Sequence, residues 1–439
     1  MFGRPTKYLA CKIIDCYNGN PSLSNVENFE RLNLMLYKSL AASVALGLSV
    51  LTSCGYQEGS KSALQGHYED GTASKLESKA GTIRAAAEYE PSQGVVISLP
   101  LISSFGHNDF AAALVNSGIE TLWVTVPSDF NGNVKTSPVF SDLRKRLGSK
   151  ISKVKLVKQQ LSGSLTVWAR DWSPQSSIDR NGNVGLIDFN YFPERNVDDF
   201  TAQSMERLLD FDRVSVPVYN EGGNFMNTRQ GHCIMTTRVT DANDHQDQSD
   251  DLILNAQDIE DYYRMGAGCS KVTILPRMPY EGTGHIDMWA KFLNDDTVIV
   301  SDLRDEEVDL YIGRDRSRAQ TLQDYFNARA LDISNLGYKV IRLPIPGPAF
   351  AEGKDMFRSY SNSIIVNDQV IIPRYEYPAN DIFGIDGHYM DEHLLGKYEE
   401  EVQAVYESQG FAVTWITADD LIAIGGAVHC TTMQIASPQ

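Results

Sequence analysis

The chain has 439 residues, 42% of them hydrophobic and 22% charged, with a formal net charge of −18. That length supports a large core, as one big domain or two ordinary ones, and the composition is that of a soluble globular protein. So acidic a chain excludes a protein built to grip nucleic-acid phosphates; it is compatible with a cationic substrate, although whole-chain charge identifies no ligand.

Residues 1–34 read as an extension upstream of the real start, placed at Met35. Lys38 then supplies a positive n-region, and the apolar run from Leu40 to Leu51 an h-region too short to span a bilayer comfortably. Residues 35–53 therefore read as a lipoprotein-type signal peptide. Its end, Leu51-Thr52-Ser53-Cys54, is similar to a bacterial lipobox, in which cleavage leaves a lipidated Cys54 at the N-terminus; the alternative is an ordinary secretory signal with an incidental cysteine. More than one acyl chain gives a stable anchor. The expected location is exported and lipid-anchored to a bacterial membrane, at the outer membrane or cell surface. Residues 54–87, rich in Ser, Gly, Glu and Lys, read as a flexible tether, and residues 88–439 as one folded domain. Of the six cysteines, Cys233, Cys269 and Cys430 fall in that domain. An odd number in an exported chain implies a free thiol, and pairing of Cys233 with Cys269 stays open.

Within the domain an amphipathic helical stretch repeatedly precedes an apolar strand. Asp109–Asn116 leads to Thr121–Val126, Thr201–Leu209 to Val214–Tyr219, and Asn255–Tyr263 to Val272–Leu275; Gln320–Leu331 leads to Val340–Leu343, and Leu395–Glu407 to Ala412–Ile416. Hairpin-like pairs lie between them, Met288–Phe292 with Thr297–Ser301 and Ser363–Val366 with Val370–Ile372. This is an α/β chain of five strand–strand–helix–strand modules, the alternative being an ordinary mixed sheet. After each return comes a polar or Gly-rich stretch: Trp168-Ala169-Arg170-Asp171, Glu221-Gly222-Gly223-Asn224, Gly282–Asp287, Ser359-Tyr360-Ser361-Asn362 and Gly425–Cys430. If the modules surround an axis, these ends meet at its centre, and a thiol, an imidazole and several carboxylates share a cavity.

His285 and Asp287 form an H-x-D pair which, at strand spacing, presents both side chains on one face. Histidine is the usual general acid/base near neutral pH, and with Cys430 it points to nucleophilic thiol catalysis. Cys and His alone would fit a peptidase or an acyl transferase. Asp171 and Asp287 change that reading, because two carboxylates can hold a planar, bidentate guanidinium, and a bound cation would lower the thiol's pKa. Arg170 reads as structural, while Trp168 belongs to the core or the pocket. Glu221 either tunes His285 or serves a turn, and Asn362 either binds substrate or caps a turn. His429 would face away from Cys430 in an extended segment and is not taken as the base. No cluster has metal-ligand spacing and no glycine-rich loop has the context of a phosphate cradle, so neither metal nor cofactor is expected.

Together with Ala87-Glu88-Tyr89-Glu90-Pro91, these stretches resemble, in order, the motifs of the bacterial (Porphyromonas-type) peptidylarginine deiminase and agmatine deiminase family of guanidine-modifying hydrolases. The resemblance covers about residue 88 to the end, making 88–439 a deiminase catalytic domain. It implies a five-bladed pseudo-symmetric α/β propeller of ββαβ modules and metal-free hydrolysis of a guanidinium to a ureido group and ammonia. It implies catalytic Cys430, His285, Asp171 and Asp287, with Asn362, Glu221, Trp168 and Arg195 on the substrate. In the implied mechanism the Cys430 thiolate attacks the guanidinium carbon, His285 protonates the departing ammonia, and water then releases the product from a covalent thiouronium. Agmatine deiminases carry Asn-Ala-Trp-Gly-Gly after the Arg-Asp motif; here Phe189–Arg195 stands instead, closer to the peptidylarginine branch. That branch holds a substrate carboxylate with arginines in this region, where only Arg195 is available. The expected substrate is an arginine-containing peptide or protein, with agmatine or another small guanidine as the alternative and an inactive propeller-fold binding lipoprotein as the non-enzymatic one.

Overall fold

Runs of Val, Ile and Leu bounded by Gly, Asn and Asp turns become short strands, and the amphipathic stretches between them become helices. The computed structural model describes residues 76, 79–244, 254–350, 355–376 and 392–439, all within the unit Asp70–Gln439. The signal peptide, Cys54 and most of the tether lie outside the described residues.

Five separate sheets are formed among the described residues. One contains β1 (Ile83–Ala85), β5 (Gln175–Asp179), β6 (Val184–Asn190) and β7 (Asp212–Tyr219). Another contains β2 (Ser92–Ser98), β3 (Thr121–Val126) and β4 (Val154–Lys158), with β17 (Met433–Ala436) antiparallel to β2. The remaining three are β8 (Met226–Asn227), β9 (His232–Thr236) and β10 (Lys271–Leu275); β11 (Ala290–Phe292), β12 (Thr297–Asp302) and β13 (Lys339–Pro344); and β14 (Ile364–Val366), β15 (Gln369–Arg374) and β16 (Ala412–Thr417). Each sheet repeats one plan: an antiparallel pair, then a helical crossover to a parallel neighbour. The crossover helices are Asn108–Asn116, Thr201–Leu209, Ala256–Gly266, Gly313–Asn335 and Glu392–Ser408, so all five expected modules are present.

Local chemistry explains the boundaries. Asn255 accepts from the backbone of Gln257 and Asp258, and Asp258 returns a bond to the Asn255 backbone, a capping box that starts the third crossover helix. Ile364, Ile365, Val366, Val370, Ile371 and Ile372 are all fully buried. They form a near-continuous apolar run because β14 and β15 are covered on both faces.

The tether ends earlier than composition suggests. Residues 83–87 belong to the fold: β1 pairs with β5, Ala85, Ala86 and Ala87 are buried, and Arg84 forks onto Glu90 through two 2.7 Å bonds. Alanines carry no strand signal of their own, and what orders them is close approach to a neighbouring sheet. The His285–Asp287 segment also differs from the expected strand. Gly284 adopts φ +70, and Ile286–Met288 forms one 3₁₀ turn with His285 as its N-cap.

All five polar stretches end just before the first strand of a module, namely β5, β8, β11, β14 or β17. That shared position brings residues from five modules to one place.

Cys233 and Cys269 form a disulfide across 36 residues of chain, joining β9 to the turn before β10. Closing a loop of that size contributes about 2–4 kcal/mol. The double variant Cys233→Ser/Cys269→Ser is expected to lower the unfolding free energy by that margin, read as a lower denaturant midpoint at similar slope, with reductant having the same effect on the native chain. An unchanged midpoint in both would show that the bond contributes nothing.

Candidate active site

Cys430 is almost fully buried on a turn whose shape depends on the preceding glycines. Gly425 lies at φ +113. A Cβ on Gly426 would stand 2.8 Å from the Cys430 sulfur and 2.7 Å from the Trp168 ring, so only glycine lets the loop fold over its own thiol beside Trp168. Asn362 fixes the loop from the neighbouring module. Its Nδ2 lies 3.1 Å from Cys430 Sγ, its Oδ1 accepts from the Ala427 and Cys430 amides at 3.0 and 3.4 Å, and its carbonyl accepts from the His429 amide at 3.1 Å. Asn362 is thus tied to both thiol and loop.

Around the thiol stand the expected acids and imidazole. Asp287 Oδ2 lies 3.5 Å from Cys430 Sγ. His285 Nδ1 is 3.7 Å from Asp171 Oδ1, and its Nε2 is 3.2 Å from Glu221 Oε2. Gly223 donates its amide to Asp171 Oδ1 at 3.1 Å. A Cβ on Gly223 would fall 2.6 Å from His285 Nδ1 and 3.0 Å from both Asp171 and Asp287. That one point therefore borders the imidazole and both clamp carboxylates. Asp287 Oδ1 is buried with no hydrogen-bond partner, and the His285 nitrogens meet their two carboxylates without an aligned hydrogen bond. Buried polar groups are nearly always satisfied, so Asp287 Oδ1 is the one buried carboxylate oxygen of this cluster left open, on the acid that touches the thiol.

The electrostatics follow from this crowding. Burial would lower His285, but the Glu221 and Asp171 carboxylates outweigh it and raise the imidazole to about 10. Burial pushes Asp171 up to about 7, with Glu221 and Asp287 adding to the push against the opposing pull of His285. Glu221 goes the other way, to about 2, because His285 and Arg238 override its burial. Burial, together with the Asp287 and Asp171 charges, holds the Cys430 thiol well above its ordinary range. These neighbours therefore favour a protonated thiol and a protonated imidazole within one cluster.

Of the residues singled out in the sequence, Cys430, His285, Asp171, Asp287, Glu221, Asn362 and Trp168 are brought together. Arg195 stands off, on the 3₁₀ turn Pro193–Arg195, donating to Tyr191 Oη at 2.8 Å. The small pocket beside that turn is lined by Tyr191, Phe192, Glu221 and Arg238. Arg170 is buried and structural, donating to Gln434 Oε1 at 2.5 Å. Sequence reasoning missed Arg238, which anchors Glu221 through a 2.7 Å bond from Nε, and Lys291, which holds Glu88. Neither sits in a recognisable motif; only the unexpected Lys in the apolar β11 run hinted at a buried partner. His429 does not turn away into another face, because its segment is a turn and not a strand, and its ring contacts Asp287.

Comparison with known proteins places the chain among relatives. Residues 84–436 match the profile of the Porphyromonas-type peptidyl-arginine deiminase family. A Shewanella baltica protein named "Putative agmatine deiminase" is 26% identical over 301 residues, 62% of this chain and 73% of its own. Among solved structures, the agmatine deiminase of Enterococcus faecalis superposes with a TM-score of 0.61 at 19% identity, covering 82% of this chain and 98% of the other. The C. jejuni agmatine deiminase does so with a TM-score of 0.58 at 16% identity, covering 81% and 96%. At those identities the two structures speak for the fold alone.

Two outcomes are expected of the site. Alkylation of Cys430 by neutral chloroacetamide should rise about tenfold per pH unit and keep rising past the ordinary thiol range; levelling near pH 8.5 would contradict a raised thiol. Gly223→Ala should leave the fold intact while lowering turnover of a guanidinium substrate about 100-fold, since a displacement near 1 Å at reacting groups costs that much. Near-native turnover would show that the space above Gly223 is unused.

Proposed function

Because the chain belongs to the Porphyromonas-type peptidyl-arginine deiminase family, a family of hydrolases acting on guanidino C–N bonds, we propose that it deiminates a guanidinium substrate through a covalent Cys430 thiouronium. The observation that carries this reading is the buried, unpartnered Oδ1 of Asp287, an acid whose other oxygen lies 3.5 Å from the Cys430 sulfur. Asp171 and Asp287 face the guanidinium from two modules. Its positive charge offsets the two carboxylates that hold the thiol protonated, so substrate binding favours the thiolate and the thiol proton is released to solvent. The sulfur forms a bond to the central guanidinium carbon, giving a tetrahedral adduct that the carboxylates stabilise. His285, already protonated, gives its proton to the leaving nitrogen as that C–N bond breaks and ammonia departs. Neutral His285 then takes a proton from water, whose oxygen attacks the thiouronium carbon. Cleavage of the C–S bond releases the ureido product and regenerates Cys430. Glu221, held by Arg238, keeps the imidazole oriented and charged between turnovers.

For the substrate, the relatives reverse the order expected from the sequence. A small free guanidine of the agmatine type leads, because the matched proteins carry that name at 26% identity over 301 residues. Peptidyl-arginine is kept as the second reading on the strength of the Cys233–Cys269 disulfide. Such bonds belong to oxidising compartments, which fits the lipoprotein-type signal and Cys54, and in which an external peptide is the available guanidine. We place the protein accordingly as exported and lipid-anchored.

The deciding experiment measures ureido product from agmatine, from a peptide ending in arginine and from one with internal arginine, with Cys430→Ala as control. Product from agmatine alone, lost in the variant, supports the leading reading. Product from a peptide, equally lost in the variant, makes the second reading correct. Absence of product from all three, with a thiol inert to chloroacetamidine, would overturn the enzyme assignment.

A further inference from the structure

His429 was set aside as a catalytic base, yet its ring is among the most constrained side chains near the thiol. Nδ1 lies 2.7 Å from Asp287 Oδ2 and Nε2 lies 2.9 Å from Glu88 Oε2. The ring is 3% exposed. A carboxylate only accepts, so with both acids ionised both ring nitrogens donate and the imidazole cannot act as a base. Glu88 is in turn fixed on every side. Lys291 Nζ donates to both of its oxygens at 2.7 Å, and the Ile365 amide donates to Oε1 at 2.9 Å. Lys291 comes from β11 and Ile365 from β14, so the acid at the start of the domain is bound to two modules and, through His429, to the loop of the nucleophile.

The consequence falls on Asp287. Its Oδ2 is occupied by His429 and lies beside the thiol, whereas Oδ1 has no partner. A carboxylate free to rotate could turn either oxygen to a substrate; one pinned through Oδ2 offers a single oxygen in a fixed direction. We propose that Glu88 and His429 are positioning residues that lock Asp287, so that Oδ1 alone meets the cationic part of the substrate and the guanidinium carbon is set against Cys430. The proposal rests on the guanidinium-deiminase reading above. It goes beyond that reading by assigning cation selectivity to two residues that need not touch the substrate.

The lock can be tested on the thiol alone, without knowing the natural substrate. Chloroacetamidine is a cation and chloroacetamide its neutral near-isostere, and both alkylate Cys430. Wild type should prefer the cation by a large factor. His429→Asn and Glu88→Gln should each lower the cation-to-neutral rate ratio at least tenfold, while the rate with the neutral reagent stays within about threefold, a loss that disordering of the thiol loop would not produce because it would move both rates together. Glu88→Gln conserves size and leaves the thiol loop's own sequence unchanged, so it decides the matter if His429→Asn does not fold. A wild-type ratio retained within twofold in Glu88→Gln overturns the proposal and leaves the deiminase reading standing. A wild type with no preference for the cation overturns both.

Discussion

The structure depends on the stable burial of like charges around one thiol. Glu88, Asp171, Glu221 and Asp287 are gathered there, and each would be costly in a dry interior without a partner. The fold supplies Lys291 and His429 for Glu88, His429 for Asp287, Arg238 and His285 for Glu221, and His285 with the Gly223 amide for Asp171. Around these acids the balance is incomplete at Asp287 Oδ1, which has no hydrogen-bond partner. A site completed everywhere would have nothing left with which to bind. One missing a larger share of its partners would neutralise its acids instead.

Backbone geometry carries the same constraint. Gly223 and Gly426 sit where any side chain would collide with His285 and the clamp acids, or with Cys430 and Trp168. Loop shape and electrostatics are therefore one problem: the acids stand close enough to share a substrate only because two backbone segments approach without side chains.

Much of this was legible in the sequence, for identifiable reasons. Strand and helix periodicity returned all five modules, because each strand carries its own β-branched run and each crossover its own apolar stripe. The site residues were legible because they fall in short polar stretches at equivalent points of a repeat, where Glu-Gly-Gly or Gly-Thr-Gly-His serves no core. Arg238 and Lys291 were not legible, since what defines them is a partner outside their own stretch of sequence: Glu221 lies 17 residues from Arg238, and Glu88 lies 203 from Lys291. Conformation was the other blind spot. Assigning an extended backbone to His285–Asp287 and to the Cys430 loop did no harm in the first case, where both side chains still reach the cluster. In the second it sent His429 to the wrong side, because face alternation holds for strands and both segments are turns.

The same burial explains how a nucleophilic cysteine can share a chain with a disulfide. Oxidation and exchange proceed through the thiolate. Burial and two nearby carboxylates hold the Cys430 thiol well above its ordinary range, so little thiolate is presented. Cys233 and Cys269 are already joined, which leaves Cys430 the only free thiol among the described residues. A permanently lowered thiol, of the kind produced by an adjacent cation, would be reactive at all times and exposed to every oxidant around it. In the mechanism proposed above, the cation that activates the sulfur is the one about to be attacked, so reactivity and substrate arrive together. The price is a slow resting nucleophile, which the oxidising compartment proposed for this chain would make easier to tolerate than a fast one.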